Sequence, residues 1–359
     1  GSTTLTGTGS TYSGLITVTD GRLNLGGSST SVVTVASGKT LGGEGTTTGS
    51  VTLNSAFLNI DPASAANLTV GNLVLSGTNT VRFDASPVTA GGAMNVLTYT
   101  GSLTGTLGTD LVLENASRYR NSTFVDTSGV VTLDIQSKSL TWNGTSGGQW
   151  NTLSSARWNT AEADQFAWGD SVAFDDSGVA TTITLSGEVQ PSNITFTGSQ
   201  NYTINGSAGN FISGFGSLVK SGSSTLVLNA PNTFSGATSI TAGTLQIGDG
   251  TNNIATLSTG SAAIAPGANL TFFRNGAFTI NNAISGGGTL AFRGTGVSGQ
   301  SDYSLGGNNS AFIGTLDVRS GARVGLDATN DVGTSSIVVN SGGQIFLNTS
   351  ATFSNAVSL

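Results

Sequence analysis

The sequence predicts an all-β chain wound as a right-handed parallel β-helix, and three observations carry that prediction. Glycine fills 53 of 359 positions while charged residues make up only 9 %, against roughly 25 % in an ordinary soluble domain. Apolar residues recur with a period of two in short β-branched runs, the pattern of a strand with one buried face. Segments of the chain also repeat one another at long intervals, as stacked architectures do.

Strands are read in order at Leu15-Ile16-Thr17-Val18, Val51-Thr52-Leu53, Leu73-Val74-Leu75, Leu111-Val112-Leu113, Val131 to Ile135, Ile183-Thr184-Leu185 and Leu226-Val227-Leu228, bounded by Gly, Asn and Ser clusters. Hydrophobic residues at 36 % separate the chain from disordered tails, which combine low hydrophobicity with high charge. No stretch holds helical spacing over several turns, and Leu153 to Phe166 offers one or two turns at most. No apolar run approaches the ~20 residues of a membrane-spanning helix. No basic region followed by an apolar one opens the chain, so a signal peptide is not expected. Ser358-Leu359 ends in mid-strand, which suggests a segment of a longer protein.

One repeated pattern runs aromatic, any residue, glycine, three residues, Val or Ile, two residues, glycine. It occurs at Tyr12-Gly14-Val18-Gly21, Phe234-Gly236-Ile240-Gly243 and Phe312-Gly314-Val318-Gly321, each copy leading into another strand. A second similarity links Ile212 to Leu218 with Ile284 to Leu290, and Asn282-Ala283-Ile284-Ser285 recurs at Asn355-Ala356-Val357-Ser358. Spacings of this kind suit three coils of about 24 residues each, and about fifteen coils in all. Stacked coils bring equivalent side chains into ladders, so Leu, Val and Ile fill the interior and Thr, Ser and Asn face out. Glycine takes corners that need a left-handed backbone or close approach. Like charges repeated in every coil would face themselves, which explains their scarcity. A β-sandwich array is the competing architecture, because even strand spacing suits it too. The expected organisation is a β-helix over 1–137, a Trp- and Asp-rich irregular insertion over 138–180, and a second β-helix over 181–359 that continues beyond the chain end.

Composition excludes much chemistry. There is no cysteine and no histidine, hence no disulfide, thiolate nucleophile, Ser-His-Asp triad or His- or Cys-ligated metal. A net charge of −7 with few basic residues argues against nucleic-acid binding, which needs a basic stripe.

Thr225-Leu226-Val227-Leu228-Asn229-Ala230-Pro231-Asn232-Thr233-Phe234-Ser235-Gly236, continuing through Ala242-Gly243-Thr244-Leu245-Gln246-Ile247-Gly248, resembles the autotransporter-associated β-strand repeat, or passenger-associated transport repeat. Thr11 to Gly26 is a second copy and Ala311 to Leu326 a degenerate third, with Ile313 where Ser is usual. Asn95 to Gly105 and Leu140 to Asp176 are similar to spacers between such repeats. The resemblance implies an extracellular β-helical passenger of a bacterial surface or secreted protein, exported through an outer-membrane β-barrel translocator. It implies a scaffold and no particular activity.

All four tryptophans, Trp142, Trp150, Trp158 and Trp168, lie in one window. They suit either a local aromatic core or a row of platforms for sugar rings. Asp170, Asp175 and Asp176 fall within seven residues, and suit either turn chemistry or an oxygen-rich calcium site, calcium being the one cofactor the sequence offers. Two carboxyls are the minimum for glycoside hydrolysis, and Asp175 with Asp176 or Asp317 with Asp327 would supply them. Arg118 and Arg120 have only Asp110, Glu114 and Asp126 nearby, a poor set for a polysaccharide lyase. Gly42-Gly43-Glu44-Gly45 and Gly286-Gly287-Gly288 lack the Lys-Ser/Thr of a phosphate loop and read as corners. The expected role is therefore a non-catalytic extracellular scaffold: a stalk, fibre or surface-layer element that supports adhesion or self-association. Its expected partners are neighbouring copies, further repeats and surface glycans. The alternatives are a carbohydrate-binding adhesin acting through the Trp-rich window and a polysaccharide-degrading β-helix.

Overall fold

A computed structural model describes residues 1–359 except 8–12, 63, 65–66, 85–91, 146, 154–155, 160–163, 297–301, 329–330 and 349–351. It is all-β, with a 3₁₀ turn at Ala116–Arg118. The chain divides into two compact units, Gly1–Lys138 and Ser139–Leu359. Each is a β-solenoid built from parallel sheets, about fifteen turns in all. Parallel pairing of strands one coil apart rules out the β-sandwich alternative, whose sheets are antiparallel.

In the first unit a six-stranded parallel sheet stacks Ser2–Leu5, Arg22–Leu25, Thr40–Gly42, Phe57–Ile60, Asn79–Phe83 and Leu111–Leu113. A five-stranded parallel sheet runs from Ile16–Val18 to Leu103–Thr104, so Val33, Val51 and Leu73 form one buried column. The third sheet is mixed. Gly92–Tyr99 pairs in parallel with Thr69–Val70 and antiparallel with Val130–Ile135, which in turn pairs antiparallel with Ser122–Thr127. Val131 to Ile135, expected as an ordinary rung, is thus one arm of a hairpin. Its turn is Ser128-Gly129, with φ of 52° and 95°, the two left-handed residues of a type I′ turn.

In the second unit a ten-stranded parallel sheet rises from Gln149–Trp150 to Val357–Ser358, beside a seven-stranded sheet from Ser139–Thr141 to Ile284–Ser285. A four-stranded sheet starts at Phe278–Ile280 and ends at Gln344–Leu347. Inward residues of the tall sheet form an unbroken apolar column, Ile204, Leu228, Ile247, Phe272, Phe292 and Val318. Outward positions of the same rungs form a polar one, with Thr225, Thr244, Asn269, Thr289, Thr315 and Ser336 in register.

Coil length is less uniform than the sequence suggests. Thr40 pairs with Phe57, 17 positions on, whereas Gln149 pairs with Thr184, 35 on. Variable corners break the simple equation of sequence period with spatial register. Leu218 lies in column with Thr238, Ala262 and Ile284, so the similarity of Ile212–Leu218 to Ile284–Leu290 does not place those residues at matching heights. Where Leu153 to Phe166 was expected to offer at most one or two helical turns, the described strands Ala156–Trp158 and Asp164–Gln165 pair as an antiparallel ribbon.

The glycine repeat specifies a local corner. Gly21, Gly243 and Gly321 have φ of 67°, 69° and 78°, the left-handed bend between two strands. Gly236 and Gly314 sit against the carbonyls of Gly216 and Gly288 one coil earlier, where any Cβ would overlap backbone. Phe234 and Phe312 are both buried, Gly14 precedes the strand Ile16–Val18, and Tyr12 lies outside the described residues. The copies land on different sheets. Thr238–Ile240 and Thr244–Ile247 belong to the seven- and ten-stranded sheets, but Thr315–Val318 and Arg323–Leu326 belong to the ten- and four-stranded ones.

Candidate functional site

The Trp-rich window lies within the second unit and supplies strands to both of its first two sheets, Ser139–Thr141, Gln149–Trp150 and Ser171–Phe174. Its long coil carries the Ala156–Trp158 ribbon inward. Trp158 meets Trp142 and Trp150 edge to face, with centroids 5.0 and 5.5 Å apart, and Phe174 at 5.8 Å. Phe174 then stacks flat on Phe196, 4.5 Å away and one coil on. The Trp142 indole N–H donates to Ala180 O at 2.7 Å, and Trp168 Nε1 donates to Glu188 O at 3.3 Å.

Trp142, Trp150 and Trp158 pack on one another and on Phe174 of the column above. Trp142, Trp150, Trp158 and Trp168 are 0, 0, 1 and 3 % exposed. A sugar ring has no open indole face to stack on, so the glycan-platform reading of these four residues is set aside. They fill the interior where the coil is longest and would otherwise be hollow.

Asp170, Asp175 and Asp176 do not converge. Asp170 is buried and its Oδ2 accepts the Ala167 N–H at 2.8 Å. Asp175 Oδ1 accepts the N–H and hydroxyl of Ser177, a local Asx turn. Asp176 Oδ1 accepts the N–H groups of Ser199 and Gln200, both at 2.7 Å, tying one coil to the next. Among the described residues no three Asp or Glu side chains are grouped to hold a metal ion. The other carboxylates considered for catalysis are similarly engaged. Asp317 pairs with Arg319 at 2.8 Å and accepts from Asn340, Asp327 accepts from Asn348, and Glu114 pairs with Arg82.

Rung-to-rung amides do more of this work than carboxylates. The Asn232 side chain accepts the Ile212 N–H below and donates to Thr256 O above. Asn309 repeats the arrangement with Ile284 N and Asp331 O. Asn282 and Asn355 each donate to two carbonyls of the preceding coil, Ser258 and Gly260 for one and Gly333 and Ser335 for the other. Such bonds satisfy backbone groups that corners leave without a ladder partner.

Lys220 escaped the sequence reading. It occupies an inward position with Phe196 below and Ile240 above, and is fully buried. Its ammonium donates to Gly222 O, and burial lowers its pKa from 10.5. The signal was available, since Ser217-Leu218-Val219-Lys220 puts lysine on the same parity as Leu218. Lys220→Met is expected to be more stable at pH 7, by up to about 4 kcal/mol, the upper end of the gain when buried ion pairs give way to well-packed apolar side chains. The native protein binds fewer protons than the unfolded chain between the depressed pKa and 10.5. Its stability should therefore rise with pH across that window, and urea titrations at several pH values should show the rise in the wild type and not in the variant.

Comparison with protein families gives one match. The model of the passenger-associated transport repeat covers residues 1–25 and 218–247. The match is confined to these two segments, which are similar to passenger-associated transport repeats. Those segments contain Gly21 and its flanking strands, and the coil from Leu218 through Phe234 and Gly243 to Ile247. Neither the curated proteins nor the solved structures compared with the chain give a match. The repeat and the β-solenoid together fit an autotransporter passenger scaffold.

Proposed function

We propose that this chain is a non-catalytic scaffold segment of a bacterial surface or secreted protein, a stalk, fibre or surface-layer element whose work is spatial. The observation that carries the reading is the pair of columns in register, apolar inside and Thr, Ser and Asn outside, repeated from coil to coil with passenger repeats at the corners. Such a stack lengthens by adding rungs and has no intrinsic end. Transfer through an outer-membrane β-barrel and display outside the cell follow from the repeat family alone.

Self-association is the testable part. Among the described residues the strand Ser2–Leu5 has a partner on one side only, and beside it a concavity of about 370 Å³ is lined by Leu5, Ile16, Leu23 and Leu25. At the last rungs of the second unit Leu347 and Val357 are 54 and 58 % exposed. Free strand edges with apolar columns behind them pair with other strands, and a head-to-tail contact does not close on itself. Sedimentation velocity over rising concentration should show growing end-to-end oligomers. A species that stays monomeric throughout would remove the assembly role.

A further inference from the structure

The outward face of the ten-stranded sheet carries a groove across three successive rungs, Thr289–Arg293, Thr315–Val318 and Ser336–Val339. Thr289, Thr315 and Ser336 stand in register as one outward column, and Ala291, Asp317 and Val338 as the next. Arg319 and Asn340 directly follow the paired residues Val318 and Val339 and begin a third. Rungs lie about 4.8 Å apart, so the columns form a flat grid of side chains. On it opens a groove of about 470 Å³, lined by Thr289, Thr315, Asp317, Arg319, Val338 and Asn340, a size typical of small-molecule sites.

Hydrogen bonds hold the groove in shape. Asp317 Oδ2 accepts the Arg319 Nε–H at 2.8 Å, and its Oδ1 accepts the Asn340 amide at 2.6 Å. Both partners belong to the third column, so the carboxylate is tied to that side. Across from it stand the hydroxyls of the first column, with Thr315 Oγ1 and Ser336 Oγ 3.2 Å apart. Val338 is the apolar part of the floor. All six lining residues are open to solvent to some degree; the Asp317 and Arg319 side chains are 17 and 43 % exposed. Among the described residues Arg319 commits only its Nε and Asn340 only its Nδ2, which leaves the Arg319 Nη groups and Asn340 Oδ1 for a ligand.

We infer that this groove binds a short run of uncharged sugar units. A sugar hydroxyl both donates and accepts, and the groove sets acceptors on Asp317 and Asn340 beside donors on Arg319 and hydroxyls that do either. Val338 offers apolar contact to C–H groups. A peptide laid on this face would find no strand edge to pair with, because Thr315–Val318 is bonded to a strand on each side. One carboxylate against one guanidinium leaves the groove without net charge, and the chain's −7 disfavours acidic glycans. The inference is independent of end-to-end assembly, because the groove lies within one unit of one copy.

The test titrates the 359-residue chain calorimetrically with cellotriose, maltotriose, chitotriose and trigalacturonate. At least one neutral trisaccharide should bind with a submillimolar Kd, and trigalacturonate at least tenfold more weakly. Arg319→Ala with Asn340→Ala removes two solvent-facing side chains and should weaken that binding by about tenfold or more at an unchanged thermal midpoint. If the double variant loses its thermal transition, Asn340→Ala alone carries the comparison. No heat from any neutral trisaccharide at millimolar concentration, undiminished binding by the variant, or equal affinity for trigalacturonate would overturn the inference.

Discussion

Trp158→Ala is expected to cost the second unit about 3–5 kcal/mol, the range for removing a buried aromatic side chain. Trp158 is 1 % exposed and lies against Trp142, Trp150, Phe166 and Phe174. Deleting it leaves a cavity bordered by four rings, of which Trp150 and Phe174 are held by strands of two different sheets, so the walls cannot collapse together. Edge-to-face contacts are lost as well, each worth about 0.5–1.5 kcal/mol beyond area burial. Urea unfolding followed by far-ultraviolet circular dichroism should show the shift. Trp158→Phe should recover much of it, because a phenyl ring refills most of the space. An alanine variant within about 1 kcal/mol of wild type would mean that the aromatic cluster is not the core of these coils.

Gly243→Ala should be the second large loss, about 2–5 kcal/mol. Two costs add at this position. Its φ of 69° is left-handed, which costs an L-residue about 1–2 kcal/mol. An added Cβ would also overlap the carbonyl oxygens of Gly222 and Ser224 on the neighbouring coil, and overpacking against groups that cannot move costs about 1–3 kcal/mol. Gly267→Ala separates the two, since Gly267 has φ of 84° but open space where a Cβ would stand. That variant should lose only the conformational part. Chemical denaturation of both variants gives the difference, and equal losses would show that close approach between coils contributes nothing at Gly243.

Both predictions bear on how much of the molecule its sequence made legible. Val33, Val51 and Leu73 stack because alternation with period two puts every second residue on one face, whatever coil it belongs to. The corner glycines are local too, since a left-handed bend between two strands needs only residues close in sequence. Lys220 and the Ser128-Gly129 turn were equally local, one a lysine on an inward parity and the other a two-residue hairpin turn. The candidate sites were another matter. Four tryptophans in one window said that aromatic surface would gather there, but not whether its faces would look out or in.

By itself, then, the sequence determined an all-β chain of short strands, apolar within and Thr, Ser and Asn outside, turning at glycine corners. These properties depend on side-chain parity and backbone dihedrals over a few residues. Tertiary structure alone decided which strand meets which. Coils of unequal length, 17 positions at Thr40 and 35 at Gln149, shift the register between coils, so the copies of one repeat fall on different sheets and Ile284 stands over Leu218. It also turned the indoles inward, since a 35-residue coil encloses a space that only large rings fill. Finally, it brought Arg22 to Asp84 across coils, a contact over 62 residues that no local pattern encodes.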